Sequence, residues 1–153
     1  MSEMFMIVVH PANSIDAMTP STSPAPTLNA ISIVVDDMAA TLAFYRACGL
    51  DFPDDADTAP HAETTAAGGF RILFDTAASV AAFNPGWTAA AGGQRISLAF
   101  ECSGTTEVDA RYAALTSAGH VGELEPFDAF WGQRYASVLD PNGNGVDFYA
   151  ALG

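Results

Sequence analysis

His61 and Glu63 stand two residues apart in His61-Ala-Glu-Thr-Thr65, a stretch that reads as a strand. Alternate strand residues point to one face, so an imidazole and a carboxylate are displayed together. That pair is either the start of a divalent-metal site or a polar strand edge near solvent. Two suitable residue types arise easily by chance. Flat side chains offer a second chemistry. Phe127, Phe130, Trp131 and Tyr135 crowd one short stretch, and Phe83, Trp87 and Tyr149 lie elsewhere. Rings of this kind stack on planar ligands, or else fill a cavity or a subunit interface. Phe130 and Trp131 fall just before a strand, where exposure is costly unless they pack on something. Other chemistries lack their residues. His120 follows a helix-stopping Gly119, His10 lies in an atypical N-terminal segment, and neither Cys48 nor Cys102 has a neighbouring His in sequence. Nothing therefore marks an activated nucleophile. The Gly68-Gly69 and Gly92-Gly93 pairs lack the spacing and the following helix of a phosphate-binding loop.

Composition narrows the ligand class. The chain has 153 residues, 18 acidic and 5 basic side chains, and a formal net charge of −13. All the basic residues are Arg. Such a balance excludes nucleic acid, whose phosphates need cationic partners, and anionic membrane surfaces. An acidic field attracts a cationic small molecule, although a solubilising surface charge has the same composition. Half the residues are apolar, enough for one domain with a sizeable core. Two Cys without a CxxC spacing are expected to be reduced, in a cytoplasmic protein. No run is long and apolar enough to cross a membrane, and the N-terminus lacks the features of a signal peptide.

These residues must be positioned by strands and helices. Residues 1–27 read as a flexible extension, with Pro- and Ser/Thr-rich Thr19-Pro-Ser-Thr-Ser-Pro-Ala-Pro26 as a linker and Met18 as a plausible alternative start. Residues 28–153 read as a single domain. Ile31, Ile33 and Val35 share one face of a first strand, and Ala30, Ser32 and Val34 the other. Asp36 or Asp37 caps a helix that ends at Gly49. A hairpin follows over residues 61–65 and 70–75, then a short helical turn within 77–87. A second alternating strand spans 94–100, a helix opens at Thr105 or Thr106 and stops at Gly119, and a strand lies near 121–124. Last comes Trp131-Gly-Gln-Arg-Tyr-Ala-Ser-Val-Leu-Asp-Pro-Asn-Gly-Asn-Gly-Val-Asp-Phe-Tyr149, a strand pair around an Asp-Pro-Asn-Gly-Asn turn. Strand, helix and strands thus occur twice, about residues 28–90 and 91–153, and Ile31-Ser-Ile-Val aligns with Ile96-Ser-Leu-Ala.

The repeat, the terminal hairpin and Ile31-Ser-Ile-Val-Val-Asp-Asp-Met-Ala-Ala-Thr-Leu-Ala-Phe-Tyr-Arg-Ala-Cys-Gly-Leu50 together resemble the vicinal oxygen chelate superfamily, the relatives of glyoxalases, bleomycin-resistance proteins and extradiol dioxygenases. The resemblance implies an α+β fold in which two βαβββ modules form an open cupped sheet, and it implies a homodimer. It also implies a metal site built from His, Gln or Glu on the cup face. Those positions fall on Ala30, on Leu73 or Ile72, on Arg95 and on Asp147. Only Asp147 is a ligand type. Arg95 and Asp147 are then expected close together, as an ion pair or as anchors for a ligand. A rearranged metal site would use His61, Glu63 and Asp147.

The function this implies resembles that of the metal-free bleomycin-resistance branch. The protein would bind and sequester a small aromatic or cationic compound, as an antibiotic-resistance protein does, with no cofactor. Trp87, Phe130, Trp131, Tyr135 and Tyr149 would stack on it, and Ser32, His61, Glu63, Arg95 and Asp147 would orient it. The alternatives are an enzyme of the same superfamily (lyase, isomerase or oxygenase) using a divalent ion, and a non-catalytic interaction domain with a filled cavity.

Overall fold

Alternation along each strand sends one row of side chains into the core and the other to the opposite face. The computed structural model describes residues 27–92 and 96–153. The expectations for residues 1–26 and for Arg95 lie outside the described residues. Strand β1 (Ala30–Val35) is followed by helix α1 (Met38–Ala47), strands β2 (His61–Thr65) and β3 (Arg71–Thr76), and helix α2 (Ala77–Phe83). The second module contains β4 (Ser97–Glu101), α3 (Thr105–Ser117), β5 (Gly122–Ala129), β6 (Gln133–Leu139) and β7 (Gly145–Ala151). The chain is α+β, with one sheet ordered β1-β3-β2 and another ordered β4-β7-β6-β5. In each sheet the first strand runs parallel to the last strand of its module, and the remaining pairs are antiparallel.

Asp37, with extended backbone, caps α1 by accepting the Ala40 N–H at 3.0 Å. Gly49, at φ +101°, takes the left-handed turn that ends the helix. The buried face of α1 carries Leu42, Phe44 and Tyr45. These join Val35, Phe74, Val108, Leu115, Val138, Val146 and Phe148 in one core cluster drawn from both modules.

The first module differs from the second in one strand. The second is βαβββ. The first has three strands among the described residues, and the place that β5 takes in its sheet has no counterpart. The segment after α1, Asp51-Phe-Pro-Asp-Asp-Ala-Asp-Thr-Ala-Pro60, makes a single 3-10 turn at Ala56–Thr58 instead. Pro and Asp are poor strand formers, and Arg46 pins this segment to the helix through Asp57 at 2.8 Å. Strand β5 is longer than the expected 121–124. It tolerates Pro126 because it is an edge strand, with register shifts on either side of Leu124.

The Asp140–Asn144 turn joins the modules. Asp140 is 4% exposed, and its carboxylate accepts from the Tyr45 hydroxyl at 2.8 Å, the Asn142 and Asn144 N–H groups at 2.8 Å each, and Asn144 Nδ2 at 2.9 Å. Asn142 reaches back, donating from Nδ2 to Thr41 Oγ1 at 3.0 Å and accepting the Asp36 N–H at 3.1 Å. The turn therefore holds the start of α1 against the end of β6. Arg111 of α3 adds a bond to the Ala47 carbonyl at 3.1 Å.

Candidate functional site

The faces turned away from the core carry a cluster of polar side chains on each sheet. On the first sheet Asp75 is the hub. It accepts from Ser32 Oγ at 3.0 Å and lies 2.8 Å from His61 Nδ1. Glu63 stands 3.7 Å from His61 Nε2 and 3.6 Å from Arg71. The side chains singled out at 61 and 63 are thus part of a row spanning all three strands, joined by hydrogen bonds at Asp75 and by longer ion pairs at Glu63. His61 and Glu63 are nearly half exposed, so their ion pairs are weak and screened.

On the second sheet Asp147 is the hub. It accepts from Ser97 Oγ at 2.7 Å and from the Tyr135 phenol. Burial pushes the Tyr135 phenol well above its ordinary value, and the Asp147 and Glu123 carboxylates push it further. Tyr135 therefore stays protonated and a donor at any physiological pH. Ser137 donates to Glu123 at 3.1 Å. Beyond Tyr135 the rings run edge to face: Trp131 at 5.6 Å, Phe127 at 6.0 Å, and Phe130 at 5.0 Å from Trp131. Phe130 is 98% exposed and Trp131 half exposed. Tyr149 lies directly across from Tyr135 in the β6–β7 ladder.

The strand registers expose a correspondence that the sequence alone had not. With Ile31 matched to Ile96, Ser32 matches Ser97 and Val34 matches Ala99. Val34 pairs with Asp75 and Ala99 pairs with Asp147. Asp75 is therefore the first-module counterpart of Asp147, and each carboxylate takes a hydrogen bond from the equivalent Ser. Asp75 was absent from the expected site because its position was assigned to Leu73. Leu73 shares the Asp75 face but has no donor atom. The two acids are not at the Ile31/Ile96 offset in sequence, so only the strand register brings out the match.

A cleft of about 430 Å3 lies where the sheets adjoin. One wall is residues 31–34 of β1. Facing it are Ile96 and Leu98, with Trp87 and residues 88–90 along one side. Asp36, Asn142, Asn144 and Gly145 close one end. Of the expected ligand-contacting residues, Ser32 and Trp87 line this cleft. His61 bonds Asp75 and is flanked by Glu63, while Tyr135 bonds Asp147 and is flanked by Trp131 and then Phe130. Phe83 is three-quarters exposed.

The superfamily metal does not fit the described side chains. Ala30 has no donor atom, nor do Leu73 and Ile72, and Asp75, the acid that does match Asp147, is taken up by Ser32 and His61. The rearranged set is divided between sheets, with His61 and Glu63 on β2 and Asp147 on β7. Among the described residues no group of three His, Cys, Asp or Glu is arranged to hold a metal ion. Anion binding is also poorly served, because the described arginines are engaged by carboxylates: Arg46 by Asp57, Arg71 by Glu63, Arg111 by Glu107, and Arg134 by Asp109 and Asp128. Among the described residues no helix is long and apolar enough to cross a membrane.

Comparison with known proteins agrees with this fold. The family model of the glyoxalase/bleomycin resistance protein/dioxygenase superfamily matches residues 27–148. No curated protein matches the chain. Among solved structures, a glyoxalase/bleomycin resistance protein/dioxygenase family enzyme from Burkholderia phytofirmans PsJN superposes with a TM-score of 0.72 at 20% identity, covering 83% of this chain and 100% of that one. A glyoxalase/bleomycin resistance protein/dioxygenase from Nocardioides gives 0.66 at 22% identity, with 86% and 87% covered. A glyoxalase-related enzyme from Fulvimarina pelagi gives 0.69 at 17% identity, with 82% and 88% covered. At these identities the likeness concerns the fold.

Proposed function

The chain belongs to the glyoxalase/bleomycin resistance protein/dioxygenase superfamily, and from that premise we propose that it binds and sequesters a small aromatic or cationic compound without a metal. The observation that carries this reading is the cleft between β1 and β4. Its volume of about 430 Å3 suits a small molecule. Its walls are mostly apolar, with one indole for stacking and a few polar groups at one end. The donor-poor family positions support the metal-free part. Ala30 offers no donor atom, and the two equivalent acids are engaged by neighbouring side chains, Asp75 by Ser32 and His61 and Asp147 by Ser97 and Tyr135.

In this reading no bond is broken. Protection is mass action and needs roughly stoichiometric protein with a dissociation constant well below the compound's concentration. Trp87 stacks on the ligand and Ser32 orients it. The aromatic group of Phe130, Trp131 and Tyr135 with Asp147 is a second contact surface, which a second copy of the chain covers in a homodimer.

The test is a thermal-shift panel of aromatic, cationic and aromatic-cationic compounds on protein stripped with EDTA. A ligand at a hundred times its dissociation constant stabilises the native state by about 2.7 kcal/mol. That corresponds to a rise of roughly 8 °C for a domain of this size. A rise that persists in EDTA and is lost in Trp87→Ala supports the reading. A panel without any rise, or rises that require added metal, overturns it.

A further inference from the structure

Four consecutive residues of β1, from Ile31 to Val34, line the cleft. Side chains alternate along a strand, so a cavity against one face would meet every second residue. Consecutive contacts mean that the cleft runs along the edge of the strand. Among the described residues that edge is open, since β1 is the outermost strand of its sheet and pairs only with β3. Main-chain N–H and C=O groups pointing away from β3 therefore face the cleft without a strand partner among the described residues. An unpaired edge beside a cavity is a template for a ligand that brings its own amides.

The lining adds two requirements. Ile96, Leu98 and Trp87 call for an apolar or flat body. Asp36 is the only ionisable residue among the described residues of the lining, and the charged group it would favour at that end is a cation. Resting on the binding reading above, we infer that the cleft holds an extended, amide-bearing small molecule, a short peptide or peptide-like compound, paired to the open edge of β1 with its cationic end at Asp36. Strand geometry limits the paired part to roughly three residues, about 10 Å.

The experiment titrates the isotope-labelled full chain with acetyl-Val-Val-Lys-amide, followed by NMR and by hydrogen exchange. The β1 amides facing the cleft and the Trp87 indole N–H should shift, and exchange at those amides should slow. The same peptide with N-methylated main-chain amides should bind at least ten-fold more weakly. Asp36→Asn should weaken the Lys peptide about ten-fold and leave a Gln analogue unchanged, and Trp87→Ala should weaken both. Equal binding of the N-methylated peptide, or shifts confined to residues away from β1, overturns the inference. If the peptide fails while a compound from the EDTA panel still stabilises the protein, the ligand class is wrong and the binding reading stands. If neither binds, both fall.

Discussion

Replacing Tyr45 with Phe removes one hydroxyl from the joint between the modules and changes little else. The Tyr45 side chain is fully buried, and its hydroxyl donates to Asp140 at 2.8 Å. A hydrogen bond to a charged acceptor contributes roughly 1.5–3 kcal/mol. Phe keeps the ring and its contacts with Phe44 and Phe74, so no large cavity term is added. Asp140 keeps the Asn142 and Asn144 donors, so the carboxylate is not left bare. The expected loss is therefore about 2 kcal/mol, or roughly 6 °C in Tm. Urea unfolding followed by circular dichroism measures it as a lower midpoint at unchanged slope. Because Asn142 and Asn144 line the end of the cleft, the same variant should also weaken ligand binding. A Tyr45→Phe protein within about 0.5 kcal/mol of the parent would refute the idea that Asp140 clamps the modules through this bond.

Other consequences are open to simple measurement. Burial pushes the Cys48 thiol up to about 12, so native protein at pH 8 should leave Cys48 unmodified by a thiol reagent. Partly buried Cys102 should react slowly, and both should react on unfolding. Glu107 is held down to about 2 by the Ser103 N–H and hydroxyl, with Arg111 helping. Its folded value lies below its unfolded value, so its contribution is present above the unfolded value and is lost as pH falls through about 2. Stability should thus decline less steeply on acidification in Glu107→Gln, and a carboxyl NMR titration that placed Glu107 at an ordinary value would contradict this. Trp87 and Trp131 are the only tryptophans. Ligand-induced fluorescence changes should survive Trp131→Phe and vanish in Trp87→Phe; the opposite pattern would move the site to the second sheet.

Much of the fold was legible because alternation and caps are local. Ile31, Ile33 and Val35 announced the core face of β1, and the Asp36-Asp37 pair, of which Asp37 is the cap, and Gly49 marked the limits of α1. The partners of Asp140 were not legible. Its turn chemistry is local, but Tyr45 is far away in sequence, and only the packing of α1 makes its hydroxyl a donor to that carboxylate. The length of β5 was obscured by Glu123, Glu125 and Pro126, which an edge strand tolerates and a central strand does not. The site was legible in part. Ser32, His61, Glu63, Tyr135 and Asp147 do sit on the faces turned from the core, and Trp87 does line a cleft. Asp75 was missed because its role depends on which residue of β1 it opposes. The open edge of β1 was missed because side-chain pattern says nothing about which strand edges remain unpaired.

The most direct test of metal-independent binding is elemental analysis of the untagged protein, followed by titration with Ni, Mn, Fe(II) and Zn at micromolar concentration. The account predicts no stoichiometric metal and no saturable uptake, with ligand binding unchanged after EDTA. Near-stoichiometric metal, lost in His61→Ala or Asp147→Ala, would contradict it and make the protein a metalloenzyme candidate.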